Sequence, residues 1–431
     1  MAAGPSPTAL PLSPLPAAPK LAEPHRQRLG NGVDVVQLDL PEAPVVCLDF
    51  WCRAGSAFES EAESGLAHFL EHMVFKGSER LPAGAFDHEV EALGGSSNAA
   101  TGFDDVHYHV LIPPAATQRA LELLLDLVLC PRFDANDFAM ERQVVLEELA
   151  QSEDQPEEVA FQELLRRACP EHAYGLPILG QRAALEAHRP EQMANFHQRH
   201  YQANRCCLSV AGPLAQLDLL PRLEDSPLAG LPTGLYDPVS PAPLMLQSGE
   251  TALTLPRLEA ARLLMAWQLP GAANQDAVVG GDLLTTLLAE GRRSRLVERL
   301  REQLRLVESI DLDLNVLEAG CLVLLEAVCQ PEQLDAVERE INRVWQEICA
   351  TPPTDAEVER ARRLVGNGYR FSLEAAGSVA AMVGNSSLWG RRHNLQAPLD
   401  WLEQWDAGRL CRELIPQLDP AKAFRLRALP A

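Results

Sequence analysis

Residues 65–77 read GLAHFLEHMVFKG, and in this stretch two histidines and a glutamate stand among apolar neighbours. The pattern predicts a helix over about residues 64–75. At about 100° per residue, His68 and His72 lie one turn apart on one face, so both imidazoles can reach a single ion. Glu71 falls on the neighbouring edge of that face. The apolar residues between these polar groups indicate that the helix is buried in a core.

This helix is a candidate metal site. A zinc ion held by two neutral imidazoles needs a third protein ligand, usually a carboxylate, and keeps one position open for water. Glu71 would lie beside that water as a general base, because zinc lowers the pKa of bound water to about 7. The alternative is a solvated helix face without a metal. Burial of the helix argues against this alternative, since buried polar side chains must be paired or bound to a ligand.

The third ligand is expected on a later helix, which Asp134 can cap and which runs to about Gln151. Glu141 and Glu148 lie within about 20° of each other on one face of it, whereas Glu147 points roughly 100° away. We expect one of the two carboxylates to bind the ion and the other to hydrogen-bond a ligand imidazole. An ordinary acidic and solvated helix is the alternative.

Strand and helix signals occur in both orders around these two helices. Gly30-Asn31-Gly32 predicts a hairpin turn, and apolar residues alternate along a predicted strand at 104–112. His107 and His109 fall on the other face of that strand, and we interpret them as surface residues with no further ligand near them. This mixture favours α+β layers over a purely parallel sheet. The other predicted elements are strands at 33–40 and 45–53 and helices at 85–93 and 115–129.

The second half repeats the pattern of the first. Pro, Gly and Ser interrupt the periodicity from 226 to 248, and beyond this boundary a strand at 263–269 and a helix through 282–289 follow in the same order. We therefore expect an α+β protein of two similar domains, each a mostly antiparallel sheet with helices packed on one face. The predicted ranges are 25–228 and 245–431, after a disordered leader at 1–24 that is rich in Pro and Ala.

Composition restricts the partners of this 431-residue chain. Its formal net charge of −23 would repel a nucleic acid or an anionic membrane surface and would attract a basic peptide. Ten cysteines without a metal-binding pair spacing are too few for a disulfide scaffold, so we expect reduced thiols. No apolar run approaches the roughly 18 residues of a membrane span, and the leader has no targeting pattern. The expected location is cytoplasmic.

The two histidines and the glutamate of residues 65–77 occur in the order HxxEH, which is the inverzincin signature. The chain resembles the pitrilysin/insulinase superfamily of zinc metallopeptidases, which includes the mitochondrial processing peptidase. This resemblance implies one zinc ion per chain, held by His68, His72 and Glu148, with Glu71 as the catalytic base and Glu141 as a hydrogen-bond partner of a ligand. It also implies that the two domains form half of a clamshell. The stretches that carry the resemblance are 65–77, 141–148, 174–180, 200–204 and 210–212.

The resemblance further implies where a substrate binds. Residues 94–101 would form an exposed edge strand to which a peptide adds, with contacts from Asn98, Ala99 and Thr101; a hairpin loop of small residues is the alternative. Arg301 would grip the substrate from the second domain together with a tyrosine seven residues later. Here that residue is Glu308, which cannot donate a phenolic hydrogen bond and would repel an oxyanion. Leucines at 283, 284, 287 and 288 exclude a metal on the matching helix.

These features together predict a zinc metalloendopeptidase that cleaves peptides or unfolded segments. The rival hypothesis is a non-catalytic structural or peptide-binding subunit of a peptidase-like complex. Because Glu308 replaces the tyrosine, we expect a dimer, either of two identical chains or with a paralogue that supplies the Arg and Tyr grip. The same nitrogen and oxygen ligands accept manganese and cobalt, so the sequence does not select zinc among these metals.

Overall fold

The strands form two sheets in the computed structural model, which describes residues 23–234 and 240–431. The first sheet has six strands and the second has five. The strands of the first sheet are β1 (His25–Arg28), β2 (Asp34–Asp39), β3 (Val46–Cys52), β4 (Ser96–Thr101), β5 (Val106–Ile112) and β6 (Cys206–Gly212). Those of the second are β7 (Gly249–Leu255), β8 (Ala261–Leu269), β9 (Ser309–Asn315), β10 (Cys321–Cys329) and β11 (Phe424–Pro430). The strand order is β1-β2-β6-β3-β5-β4 in the first sheet and β7-β11-β8-β10-β9 in the second.

The second sheet repeats five strands of the first in order and direction. The pair β2 and β6 is parallel, as is the pair β7 and β11, and every other neighbouring pair is antiparallel. The prediction of two similar α+β domains with mostly antiparallel sheets is therefore confirmed. The domain boundaries stay a prediction, and most of the leader, together with residues 235–239, lies outside the described residues.

The helices follow the predicted hydrophobic periodicity. The predicted helix at 64–75 is α1 (Leu66–Val74), and the helix that Asp134 caps through the backbone N–H groups of Asn136 and Asp137 is α4 (Ala135–Asp154). In the first domain the helices are α1 (Leu66–Val74), α2 (Ala85–Ala92), α3 (Thr117–Leu129), α4 (Ala135–Asp154), α5 (Pro156–Ala168), α6 (Arg182–Ala187), α7 (Pro190–His200) and α8 (Leu220–Glu224). In the second they are α9 (Gln275–Ala289), α10 (Leu334–Ala350), α11 (Asp355–Ser372), α12 (Ala376–Leu388), α13 (Ala397–Gln404) and α14 (Ala407–Glu413). Among the described residues, none of these helices is both long and apolar enough to cross a bilayer.

One helix of each domain packs on the sheet of the other domain. The helix α12 packs on the face of the first sheet that points away from α1, where Val379 and Val383 meet Cys47 and Ala211. In return, α5 packs on the second sheet, with Leu164 and similar side chains against β8 and β11. Both faces of each sheet are thereby covered. This exchange adds a layer to the helices expected on one face, and it joins the two domains through apolar burial.

A buried polar cluster also joins the domains. The hydroxyl of Tyr174 donates to Asp104 at 2.6 Å and accepts the backbone N–H of Ala319 at 3.1 Å. The other oxygen of Asp104 accepts the N–H of Glu318 at 2.9 Å. Tyr174 therefore holds a loop of the second domain on the first domain, beside the segment that leads to α1.

Candidate active site

The N-terminus of α1 is fixed by close backbone packing. Gly65 precedes the helix with φ +81°, and a Cβ there would lie 2.6 Å from the carbonyl oxygen of Leu179 and 2.8 Å from Cα of Gly180. Only glycine tolerates both this conformation and this approach. The carboxylate of Glu59 accepts the first N–H groups of the helix, from Gly65 at 2.8 Å and Ala67 at 2.6 Å. No local sequence pattern indicates this role of Glu59, because the residue lies outside the helix that it caps.

Two histidines of α1 and a glutamate of α4 converge on one point. Nε2 of His68 lies 3.7 Å from Oε2 of Glu148, and Nε2 of His72 lies 3.4 Å from the same oxygen. The two helices pack together through the rings of Phe69 and Phe138, whose centroids are 4.6 Å apart. One ligand atom from each of the three side chains lies within 4.8 Å of the other two, an arrangement that could hold a metal ion.

Glu141 positions the second histidine. Its Oε1 accepts the Nδ1 hydrogen of His72 at 2.9 Å, and its Oε2 pairs with Lys76 at 2.5 Å. Burial acts to raise the pKa of Glu141, but the hydrogen bonds from His72 and Lys76 outweigh it and lower that pKa. A charged Glu141 fixes the tautomer of His72 with Nε2 free to face Glu148. Lys76 is the last residue in this chain of contacts, and no sequence pattern predicted that it would pair with Glu141.

The protonation of His68 suits a metal. Burial first, and then the charge of His72, lowers the pKa of His68 to about 4. The imidazole is therefore neutral near pH 7, which is the form that binds a metal. Its Nδ1 is buried without a hydrogen-bond partner among the described residues, and its Nε2 is the ring nitrogen that faces Glu148. The donor set of two imidazoles and one carboxylate fits zinc.

Glu71 lies beside this cluster and contacts the edge strand. Thr101, the last residue of β4, donates its hydroxyl hydrogen to Oε2 of Glu71 at 2.5 Å. Burial raises the pKa of Glu71, although the hydrogen bond from Thr101 and the charge of His72 act in the opposite direction. A carboxylate with a raised pKa next to a metal site is suited to accept and release a proton.

The strand β4 ends its sheet on one side, as the resemblance implies. Its pairing with β5 places Ala99 opposite Tyr108 and Thr101 opposite Val106, on the face that packs against α1. Asn98 pairs with His109 and lies on the other face, where its Oδ1 accepts the N–H of Ala99 at 2.9 Å. Ala99 and Thr101 thus share the face of the candidate site, whereas the side chain of Asn98 does not.

The second domain brings no comparable cluster to α9. Leu283, Leu284 and Leu287 are buried there among apolar side chains. Arg301 lies in a π-helical segment, Val297–Gln303, and pairs with its neighbour Glu302 at 2.9 Å. Glu308 is exposed and accepts a long hydrogen bond from Gln330. Within the described part of the chain, no hydrogen bond or ion pair links Arg301 or Glu308 to the histidines of α1.

His107 and His109 have a neighbour that the sequence analysis missed. Asp49 of β3 lies opposite His109 in the pairing of β3 with β5, and its Oδ1 is 3.0 Å from Nδ1 of His107. The expectation that no further ligand lies near these histidines is therefore wrong. The cause is the long-range pairing of two strands that are more than fifty residues apart, for which the local sequence has no signal.

Comparison with known proteins identifies a family and several relatives of this chain. Residues 34–182 match the family described as Insulinase (Peptidase family M16), and residues 189–365 match the Peptidase M16 inactive domain. An "uncharacterized zinc protease" of Rickettsia bellii is 26% identical over 84% of this chain and 87% of its own length. A probable mitochondrial-processing peptidase subunit beta of Arabidopsis thaliana is 27% identical over 84% of this chain and 70% of its own length.

Solved structures show the same fold. A protease from Helicobacter pylori superposes with a TM-score of 0.88 at 23% identity, over 95% of this chain and 100% of that chain. A peptidase M16 inactive domain from Pseudomonas fluorescens gives a TM-score of 0.85 at 20% identity, over 95% of this chain and 98% of that chain. The two family matches, one in each half of the chain, name the same peptidase family, and the two-domain fold is consistent with it. The chain belongs to the peptidase M16 (insulinase) family.

Proposed function

We propose that this chain is a zinc-dependent endopeptidase. The observation that carries the proposal is the convergence of His68 and His72 on one carboxylate oxygen of Glu148, at 3.7 and 3.4 Å. A scaffold protein has no physical need for two imidazoles and a carboxylate directed at one point, because buried polar groups without partners destabilise the fold. The names of the relatives as zinc proteases support the same activity.

In this proposal His68, His72 and Glu148 hold one zinc ion per chain. A bound zinc ion supplies a Lewis acid that lowers the pKa of water and polarises a carbonyl. Glu141 keeps His72 in the tautomer that binds metal, and Lys76 keeps Glu141 charged. The three ligands come from two helices of the first domain, so the second domain is not needed for binding the ion.

Glu71 is the proposed general base. Its carboxylate removes a proton from the attacking water and then delivers that proton to the leaving amine of the substrate. Thr101 holds one oxygen of Glu71 and so sets the direction of the other. Burial raises the pKa of Glu71 in the free chain, and a raised pKa makes its carboxylate a stronger base for the first proton transfer.

The proposed substrate is an extended peptide or an unfolded segment. The edge of β4 has no neighbouring strand among the described residues, and a peptide can add there through main-chain hydrogen bonds. Ala99 and Thr101 face α1, so a peptide on this edge passes beside Glu71. The side chain of Asn98 lies on the face of β4 that points away from α1. In this proposal it therefore acts only on that face or through its hydrogen bond with the backbone N–H of Ala99. The net charge of −23 favours basic substrates.

We further propose that the active form is a dimer, in which a second chain closes over the site as the other half of a clamshell. Arg301 and Glu308 would then face the substrate held by a partner. Because Glu308 repels an oxyanion, a paralogue with tyrosine at this position is the expected partner. The ten cysteines are all unbridged, which is consistent with the cytoplasm as the proposed location.

The activity is tested with a quenched basic peptide and the purified chain loaded with zinc, alone and mixed with such a paralogue. We expect weak cleavage alone, a clear gain on mixing, and loss of both on adding a chelator. Glu71→Gln should lower kcat by ~10²–10⁴-fold with the metal retained. Glu147→Gln is the matched control, since Glu147 is exposed on the same helix as Glu148. Chelator-resistant cleavage, or full activity of Glu71→Gln, would refute the proposal.

The role of position 308 has its own test. Glu308→Tyr should raise the rate of the isolated chain, because a phenol can donate a hydrogen bond where the carboxylate repels. Glu308→Gln removes only the repulsion and should give a smaller gain. If both variants match the wild-type rate in the isolated chain and in the mixture, residue 308 does not face the substrate and this part of the proposal fails.

A further inference from the structure

We propose a second divalent-metal site, formed by Asp49, His107 and His109 on the face of the first sheet that points away from α1. One ligand atom from each of the three side chains lies within 4.8 Å of the other two. The ligand that fits is a first-row divalent transition ion such as zinc, because two imidazoles and one carboxylate are the donor set. The site does not depend on the proposed peptidase activity.

Strand geometry brings the three ligands together. His107 and His109 are two residues apart on β5, so both side chains lie on the same face. Asp49 on β3 is directly opposite His109, and its Oδ1 is 3.0 Å from Nδ1 of His107. Ligand atoms bound to one zinc ion at about 2.0–2.1 Å lie roughly 3.3 Å apart in a tetrahedron, so this pair needs little movement to share an ion.

The ligands are held by their surroundings. The ring of His107 stacks on Trp51 with centroids 4.2 Å apart, and it stacks on the ring of His109 at 5.6 Å. Asp49 is 1% exposed and lies in the middle of the sheet, between β5 and β6. A ligand on such a rigid element loses little conformational freedom when it binds an ion.

One imidazole of the cluster takes no part in the hydrogen bond between Asp49 and His107. Asp49 and His107 satisfy each other through their hydrogen bond, whereas the imidazole of His109 makes no hydrogen bond within the described parts of the chain. A simple hydrogen-bonded pair would not require this second imidazole. His107 and His109 are only partly buried, so water can reach the ion and fill its remaining positions.

The nearby charges favour a cation. Asp49 is a buried carboxylate, and Asp105 lies close enough to His107 to interact with it. Asp105 itself accepts hydrogen bonds from Asn385 and Trp389 of the second domain, each at 3.0 Å. No arginine or lysine pairs with Asp49 among the described residues. Both carboxylates would attract a cation bound at this point.

The test counts bound ions. The full chain and its variants are dialysed against Zn²⁺ alone, and the bound metal is measured by mass spectrometry. We expect two ions for the wild type, one for His109→Gln, one for Glu148→Gln and none for the double variant. His88→Gln, at an exposed histidine of α2, is the control and should keep both ions. One ion in the wild type with none lost in His109→Gln would overturn the site, as would equal loss in His88→Gln.

A stability measurement separates this site from the first one. In the Glu148→Gln background, Zn²⁺ should still raise the melting temperature, since an ion that binds only the folded chain stabilises it. Adding His109→Gln to that background should abolish the increase without changing the melting temperature in chelator, because His109 makes no hydrogen bond. A zinc-induced increase that survives in the double variant would contradict the assignment, whatever the peptidase assays give.

Discussion

Thr101 at the end of the edge strand donates a hydrogen bond of 2.5 Å to Glu71 on the helix that carries both histidines. This contact joins the surface proposed to bind the substrate to the proposed base. A peptide that adds to β4 would therefore lie at a defined position relative to Glu71, because the same strand pairs with the peptide and orients the carboxylate of Glu71. The relationship makes Thr101 a positioning residue whose effect can be measured.

Thr101→Val should lower kcat about tenfold with little change in KM, since the variant keeps the shape of the strand but frees the carboxylate of Glu71. Thr101→Ser retains the hydroxyl and should restore most of the rate. Steady-state kinetics on a quenched peptide measures both values. Equal rates for the valine and serine variants would show that the hydroxyl does not orient Glu71.

Glu141→Gln should weaken zinc binding by about 10–100-fold, because the neutral amide no longer holds His72 in one tautomer and leaves Lys76 without its partner. Competition with a chromophoric chelator measures this change, and Glu147→Gln on the same helix is the control. Unchanged affinity in Glu141→Gln would mean that the hydrogen bond to His72 does not prepare the ligand.

Tyr174→Phe should lower the free energy of unfolding by about 1–3 kcal/mol, since the buried Asp104 loses a hydrogen bond and the half-buried N–H of Ala319 loses its acceptor. Urea denaturation followed by fluorescence measures the loss. The same experiment on Tyr369→Phe, whose hydroxyl donates to the carbonyl oxygen of Leu395 within the second domain, gives a comparison. If Tyr174→Phe alters neither stability nor the cooperativity of unfolding, the hydroxyl does not connect the domains.

Glu357 gives a prediction of pH dependence. The hydrogen bonds from Arg295, stronger than the opposing effect of burial, lower the pKa of Glu357 to about 2. In the unfolded chain the pKa of Glu357 is near 4.5. Because it is lower in the folded state, the ionised side chain stabilises the fold at pH values above about 4.5, and this stabilisation is lost as the pH falls to about 2. The difference in stability between wild type and Glu357→Gln should therefore be full at pH 7 and shrink between about pH 4.5 and 2.

The exposed pair of Arg343 and Glu347 is the control for that experiment. Glu347→Gln should change stability by well under 1 kcal/mol at any pH in this range, because both side chains are solvated. Thermal unfolding at several pH values compares the two variants. A Glu357→Gln difference that stays constant from pH 7 to pH 2 would contradict the assigned pairing with Arg295.

Local periodicity was sufficient to predict the elements that carry the site. The helix with His68 and His72 and the helix with Glu148 are amphipathic or apolar over several turns, so their faces can be derived from the sequence alone. Their meeting depends on the packing of Phe69 against Phe138, which is a tertiary contact. The sequence predicted that meeting only through the known chemistry of zinc and the family resemblance.

Long-range pairing accounts for what the sequence could not predict. The alternation along β5 separates His107 from Tyr108, but only the register with β3 places Asp49 beside it. The position of Asn98 away from α1 likewise follows from pairing with His109. The exchange of α5 and α12 depends on how two domains pack. Each of these features is set by contacts between residues far apart in the chain, which leave no local pattern.

The central claim is that His68, His72 and Glu148 bind one zinc ion together. Anomalous diffraction from crystals of the zinc-loaded chain, recorded on both sides of the zinc absorption edge, locates that ion directly. We predict a peak at about 2.0–2.2 Å from Nε2 of His68, Nε2 of His72 and an oxygen of Glu148. Zinc peaks found only elsewhere, with these three side chains not bound to metal, would contradict the account.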